Sequence, residues 1–133
     1  MMDLNYIQTP LRNQTIEEQI KDFYLLNNKE RTYQHVLGVA MAAEKLALQY
    51  QEDIRACILA ALLHDISAVI TPQDMMKIAN ELQWQLDSAE KIYPFLLHQK
   101  ISALIAYEYF QIRNLSILKA IESHTTLRSN PSK

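Results

Sequence analysis

The chain has 133 residues, a formal net charge of −2, 49% hydrophobic residues, one glycine, four prolines and one cysteine. This length suffices for one domain with a buried core, and a single cysteine excludes a disulfide within the chain. Without a surplus of basic residues, we do not expect a nucleic-acid partner. The scarcity of helix breakers, together with many Ala, Leu, Ile, Glu, Lys and Gln residues, favours an all-α protein.

The first ten residues lack a cationic start and an apolar stretch, so we expect no secretion signal in them. The longest apolar runs are far shorter than the ~20 residues needed to span a bilayer. The sequence therefore predicts a cytoplasmic protein that does not contact a membrane. We expect one helical bundle, with an N-terminal helical segment at residues 1–28 and a metal-binding helical domain at residues 29–133.

Polar capping residues predict where the first helices begin. Thr15 and Glu18 have the spacing of a capping box, which starts a helix that ends near Leu26. Asn28 is expected to cap a long helix at residues 29–50. The apolar residues of this helix recur at intervals of three and four, which predicts a core-facing stripe. The stripe comprises Val36, Val39, Ala40, Ala43, Leu46, Ala47 and Tyr50.

The next predicted helix follows a cap at Asp53 and is apolar around its whole circumference at residues 56–63. Such a helix is expected to be buried on every side. It ends in the polar pair His64 and Asp65. The later helices are predicted from capping residues and prolines. They begin at Thr71-Pro72, at Asp87 with Glu90, near Phe95 and after Asn114.

The four histidines all lie at or near predicted helix ends, and Asp65 directly follows His64. Neutral imidazole beside a carboxylate is a suitable donor set for a divalent metal ion. His35 is the natural third ligand of such a site, and His98 and His124 could supply a second ion. Any one of these histidines alone would more often be an ordinary polar residue at a helix end. The whole set favours a metal centre.

Three further residues are candidates for binding phosphate. Arg31 lies one helical turn before His35. Thr125 and Arg128 follow the last histidine. The alternative interpretation of all three is an exposed surface position. Aromatic residues such as Trp84 could stack an adenine, although their spacing within helices favours core packing.

The segments RTYQHVLGVA and ALLHDI resemble the HD superfamily of metal-dependent phosphohydrolases. The later segments FLLHQKISALIA and AIESHTTLR resemble its branch called YqeK, which splits diadenosine tetraphosphate symmetrically into two ADP. The resemblance extends from about Arg31 to the last residue given. It implies an all-helical hydrolase with a small-molecule nucleotide substrate and a possible homodimer. It also implies a dinuclear metal cofactor, most often iron, with manganese, magnesium and zinc as alternatives.

The same resemblance implies a role for each ligand. His35, His64 and Asp65 match the ligands of the first metal ion. His98 and His124 match the additional ligands of the second ion, and Asp65 matches the carboxylate that bridges both. His64 and Asp65 are thereby the implied catalytic pair, with a metal-bound hydroxide as the nucleophile.

The sequence departs from this family pattern at three points. Ala68 stands where many members have the lysine of an HDxxK motif, and Gln99 replaces a common glycine after the third histidine. The nine residues after His124 contain no acid, whereas the family supplies one more aspartate there. We expect that aspartate in a C-terminal part beyond Lys133; otherwise water or another residue completes the first metal. The alternatives are a degenerate HD domain that binds metal or nucleotide without turnover, or a helical interaction module.

Overall fold

The computed structural model describes residues 15–50 and 53–123, which form α-helices and two 3-10 helical turns. The helices are α1 (Ile16–Leu26), α2 (Glu30–Tyr50), α3 (Ile54–Leu63), α4 (Pro72–Glu81), α5 (Ser88–Ile92), α6 (His98–Phe110) and α7 (Leu115–Ser123). The 3-10 turns span Ile66–Val69, between α3 and α4, and Pro94–Leu97, before α6. The described residues contain no strand, so the all-α prediction is confirmed.

Most helices begin at the capping residues that the sequence predicts. At α1, the Glu18 N–H donates to Thr15 Oγ1 over 3.2 Å, and the Thr15 N–H donates to the Glu18 carboxylate over 3.0 Å. This reciprocal pair is the predicted capping box. At four further helices, a side-chain oxygen accepts a capping hydrogen bond from a backbone N–H: Asp53 at α3, Thr71 at α4, Asp87 at α5 and Asn114 at α7.

Asn28 was expected to cap α2, and this prediction is wrong because Asn28 terminates α1 instead. Its φ of 61° lies in the left-handed region, which asparagine tolerates better than most residues. The Lys29 N–H donates to the Tyr24 carbonyl over 2.8 Å, and the Asn28 N–H donates to the Leu25 carbonyl over 3.1 Å. These paired bonds form a Schellman motif. The same kind of turn follows α4, where Gln83 has a φ of 58°.

The helix predicted to start near Phe95 also begins differently. Pro94–Leu97 forms a 3-10 turn, and α6 starts at His98. Proline suits the first position of such a turn because its φ is fixed and its missing N–H would lack a helical partner there. His98 is consequently the first residue of α6 and lies where two helical segments meet.

The core is built around α3. Leu59 and residues 61–63 are buried, whereas residues 56–58 and Ala60 are half-buried, so α3 is less completely covered than the sequence predicts. Helices α2, α7 and α1 contact α3 directly. From α1, Ile20, Phe23 and Tyr24 are fully buried in the same core cluster. The N-terminal helix therefore shares one core with the rest of the bundle.

The predicted apolar stripe on α2 is buried only in part. Val36, Ala40 and Ala47 are buried, whereas Leu46 is 56% exposed and Tyr50 is 65% exposed. At 100° per residue, Leu46 lies about 80° from Val36 around the helix axis, at the edge of the stripe. Tyr50 is the last residue of the helix. The stripe is therefore narrower and shorter than the sequence predicts.

Among the described residues, no single helix is both long enough and apolar enough to cross a membrane. The segments Ile54–Val69 and Pro72–Glu81 reach that length and composition only as a pair, with a bend of 99° between them. Buried helices in the cores of soluble proteins have the same length and composition.

Candidate metal centre

Three of the predicted ligands meet at the C-terminal end of α3. His35, His64 and Asp65 each offer one ligand atom, and these three atoms lie within 4.8 Å of one another. Asp65 Oδ2 is 3.2 Å from His64 Nε2 and 4.0 Å from His35 Nε2. Protein nitrogen and oxygen ligands sit about 2.0–2.2 Å from a bound metal such as zinc. The spacing between the three atoms therefore leaves room for one cation among them.

The end of α3 explains how two adjacent residues reach one site. Residues next to each other within an α-helix point about 100° apart. Helix α3 ends at Leu63, His64 is its C-cap, and Asp65 leaves the helix with φ −114° and ψ 17°. This change of backbone direction brings the Asp65 carboxylate beside the His64 ring.

The hydrogen bonds of His64 prepare the ring for a cation. Nδ1 donates to the carbonyl of Ala61, so in the neutral ring the lone pair on Nε2 faces Asp65. A lone pair and a carboxylate oxygen at 3.2 Å repel each other unless a proton or a cation lies between them. The His64 side chain is only 3% exposed, which limits screening by water. The donor set therefore fits a divalent metal ion.

Without a metal ion, the Asp65 carboxylate favours a proton at this position. Burial by itself lowers the pKa of His64, but the hydrogen bond to Asp65, the bond to Ala61 and the charge of Asp65 together raise it. The hydrogen bond from His64 lowers the pKa of Asp65 against the opposing effect of burial. The charges of His64, His98 and His35 lower it further. Because a metal ion binds the deprotonated imidazole, it competes with this proton, and metal binding is expected to depend on pH.

The site is open on the side of α2. The His35 side chain is 62% exposed, and its ring centroid lies 6.1 Å from that of His64. Arg31 is also exposed and precedes His35 by four residues, which places both on the same face of α2. One wall of the centre is therefore buried, while the other can be reached by an anionic ligand from solution.

His98 lies near this cluster without belonging to it. Its charge contributes to the lowered pKa of Asp65, but it is not among the three residues whose ligand atoms lie within 4.8 Å. His98 Nδ1 donates to the Phe95 carbonyl over 2.9 Å, so in the neutral ring Nε2 carries a lone pair. The remaining predicted site residues lie outside the described part of the chain: His124, Thr125 and Arg128.

Two further buried polar residues lie close to segments that carry predicted ligands, and the sequence did not indicate either as a site residue. The Tyr24 hydroxyl donates to the Leu62 carbonyl over 2.8 Å, and burial together with the charge of Asp65 raises the pKa of Tyr24 well above its usual value. Gln99 follows His98, is 8% exposed, and its Nε2 has no hydrogen-bond partner among the described residues. In the sequence, Tyr24 cannot be distinguished from other apolar positions of α1, whereas Gln99 is visible as a departure from the family pattern.

The family model described as HD domain matches residues 32–132. The chain belongs to the HD domain family. The matched region contains all five predicted metal ligands and leaves out α1. The resemblance predicted from the segments around His35 and His64 is therefore confirmed.

Individual relatives of this HD domain carry more specific names. The chain is 35% identical to a symmetrical bis(5'-nucleosyl)-tetraphosphatase of Halalkalibacterium halodurans, over 77% of this chain and 54% of the relative. It is 33% identical to a protein of the same name from Staphylococcus aureus, over 78% of this chain and 53% of the relative. The chain thus spans about half the length of these curated relatives.

A solved structure shows the same fold. The crystal structure of a predicted HD superfamily hydrolase involved in NAD metabolism from Clostridium acetobutylicum superposes with a TM-score of 0.79 at 31% identity. The superposition covers 87% of this chain and 61% of the other. The single-domain, HD-type helical bundle predicted from the sequence is therefore confirmed.

Proposed function

We propose that this HD domain is the metal-binding part of a phosphohydrolase that acts on nucleotides, and that its substrate is diadenosine tetraphosphate, cleaved symmetrically into two ADP. The observation that carries the proposal is the convergence of His35, His64 and Asp65 within 4.8 Å. The names of the two tetraphosphatase relatives support the substrate class. The open side of the centre supports access for a large anionic substrate.

Each of the three residues has a distinct task in this proposal. His64 presents Nε2 from a ring that Ala61 holds in one tautomer, and His35 approaches from α2. A divalent cation, when bound, polarises a phosphoryl oxygen and lowers the pKa of nearby water. The Asp65 side chain is 29% exposed, and one of its oxygens faces both imidazoles. Its other oxygen would be available to contact a second cation or a water molecule beside the phosphorus.

Arginine residues are proposed to hold the phosphate chain. Arg31 is exposed on the same face of α2 as His35, and no carboxylate within residues 15–50 and 53–123 forms a salt bridge with it. A guanidinium in this position can bind phosphate oxygens in a bidentate manner. We propose the same role for Arg128, with Thr125 as an additional hydroxyl donor.

We also propose that the centre is dinuclear. His98 and His124 would serve a second ion, and Asp65 would bridge the two. The lone pair on His98 Nε2 supports this assignment because the Phe95 carbonyl already accepts the bond from Nδ1. Iron is the proposed metal, with manganese, magnesium and zinc as alternatives; imidazole ligands suit iron and zinc, whereas carboxylate ligands suit magnesium and manganese.

The test is turnover of diadenosine tetraphosphate by the full chain supplied with Fe²⁺ or Mn²⁺, with ADP quantified by chromatography. We expect two ADP per substrate, and a loss of about 100-fold or more for Asp65→Asn. Asp74→Asn is the matched control because the Asp74 side chain is also 29% exposed and lies at the start of α4. Equal activity of the two variants would contradict the proposal.

A second candidate function is binding of metal or nucleotide without turnover. It is favoured by one sequence feature: Ala68 replaces the lysine of the family pattern. In this case the chain binds Mn²⁺ and diadenosine tetraphosphate by calorimetry but releases no ADP. If neither ligand binds, both candidate functions are wrong.

A further inference from the structure

We infer that Tyr24, on α1, is a positioning residue for the metal centre, because its side chain contacts α2 and α3 directly beside the residues that carry the ligands. This inference rests on the proposed metal centre. It assigns a role at the site to a helix that precedes the residues matched by the family model.

The contact with α3 is a hydrogen bond. The Tyr24 hydroxyl donates to the Leu62 carbonyl over 2.8 Å, two residues before His64. The last carbonyls of a helix have no partner within the helix and require other donors. The neighbouring carbonyl of Ala61 receives the bond from His64 Nδ1. Two side chains therefore fix the end of α3 from which His64 and Asp65 extend.

The contact with α2 is between aromatic rings. The ring centroids of Tyr24 and Tyr33 lie 6.0 Å apart at an interplanar angle of 46°. Tyr33 precedes His35 by two residues on α2. The Tyr24 side chain thus contacts both helices, in each case at a residue two positions before a predicted ligand. A change at Tyr24 is therefore expected to alter the 4.0 Å separation between His35 Nε2 and Asp65 Oδ2.

The surroundings of the Tyr24 hydroxyl keep it a hydrogen-bond donor. The residue is fully buried, and burial, followed by the charge of Asp65, raises its pKa. The hydroxyl therefore stays protonated and continues to donate to the Leu62 carbonyl.

The adjacent residue on α1 provides a matched control. Phe23 is as fully buried as Tyr24, but its ring packs against Phe110 and Tyr109 on α6, with centroid distances of 5.3 and 6.1 Å. These residues lie at the far end of α6 from His98. A change at Phe23 therefore disturbs the core without touching the contacts to α2 and α3.

The experiment compares Tyr24→Phe with Phe23→Leu in the full chain. Mn²⁺ affinity is measured by titration calorimetry, and the imidazole nitrogen shifts of His35 and His64 are measured by NMR on chelator-treated protein. For Tyr24→Phe we expect Mn²⁺ binding about three- to tenfold weaker, at or below the lower end of the range of about 10- to 100-fold for ligand-supporting residues, and altered shifts of both rings. Phe23→Leu should lower the melting temperature and leave affinity and shifts unchanged.

Two results would overturn the inference. Wild-type Mn²⁺ affinity and unchanged imidazole shifts in Tyr24→Phe would show that the hydroxyl does not position the ligands. Equal weakening by Phe23→Leu would show that the effect is a general loss of stability. If the wild-type chain binds no Mn²⁺, the proposed function fails, and the imidazole shifts still decide the role of Tyr24. Tyr33→Leu gives a second variant, expected to shift the His35 signals more than those of His64.

Discussion

His64 and His98 lie in two regions of the molecule, and each imidazole ring makes the same kind of local hydrogen bond. In each, Nδ1 donates to the carbonyl three residues earlier, that of Ala61 for His64 and that of Phe95 for His98. In each, the bond selects a tautomer with a lone pair on Nε2, as expected of a metal-binding imidazole. Local geometry alone therefore does not distinguish the two histidines.

Burial and neighbouring charge do distinguish them. His64 is 3% exposed and its Nε2 faces the Asp65 carboxylate, which directly follows it. His98 is half-buried, starts α6, and stacks on the Phe95 ring at a centroid distance of 4.6 Å. A buried imidazole beside a carboxylate forms a preformed ligand pair. A half-buried imidazole without such a neighbour is expected to take up its ligand position only when an ion binds. We therefore expect the His64 region to bind the first ion and the His98 region to complete the second.

The largest effect is expected from His64→Ala compared with His98→Ala. Removal of the His64 imidazole should abolish bound metal, because it takes one of three converging ligands and leaves Asp65 partly buried without its partner. Removal of the His98 imidazole should reduce two ions per chain to one. Elemental analysis of protein purified without chelator measures both. Equal losses of bound metal in the two variants would show that the two regions bind metal as one unit.

A smaller effect is expected in the pH dependence of stability without metal. The raised pKa of His64 stabilises the fold fully below about pH 6.5, the value of a free imidazole, and this contribution is lost as the pH rises through the folded value. The lowered pKa of Asp65 stabilises the fold above about pH 3.9, and this contribution is lost as the pH falls through the folded value. The His64–Asp65 pair should therefore stabilise the folded protein most between about pH 4 and 6.5.

Urea unfolding of chelator-treated protein across pH 3 to 9 measures this profile. His64→Gln should remove the alkaline decline, whereas His98→Gln should retain it because the His98 ring does not pair directly with the carboxylate. If the free-energy difference between wild type and His64→Gln grows from about pH 6 to 8.5, the assignment of the pair is wrong.

The fold is predictable from the sequence where a helix boundary depends on local chemistry. Thr15 and Asp87 cap their helices as predicted, since a side-chain oxygen and an N–H three residues later suffice for a cap. Asn28 illustrates the limit. Asparagine suits both an N-cap and a left-handed helix end, and the direction of the chain between α1 and α2 decides between them. That direction is set by packing, which a local pattern does not contain.

The candidate site likewise contains residues that the sequence predicts and residues whose place depends on packing. Helix spacing and the family resemblance predict His35, His64 and Asp65 as ligands, and the structure brings the three side chains together. Tyr24 depends on how α1 packs against two other helices, so it could not be distinguished from a core residue. The distance of His98 from the cluster likewise depends on the contact of α6 with the turn after Asp65. There the Ser67 N–H donates to Ser102 Oγ over 3.0 Å.

The smallest effect is expected from Phe95→Leu, which removes the ring that stacks on His98 and keeps the carbonyl that binds its Nδ1. Aromatic stacking contributes about 0.5–1.5 kcal/mol, so affinity for the second Mn²⁺ should fall about two- to tenfold while the first site stays unchanged. Leu96→Ala is the control, since Leu96 is 45% exposed and Phe95 is 57% exposed. If Phe95→Leu weakens the first site instead, the ring acts on the His64 cluster. The distinction between a preformed and a completed region would then have to be abandoned.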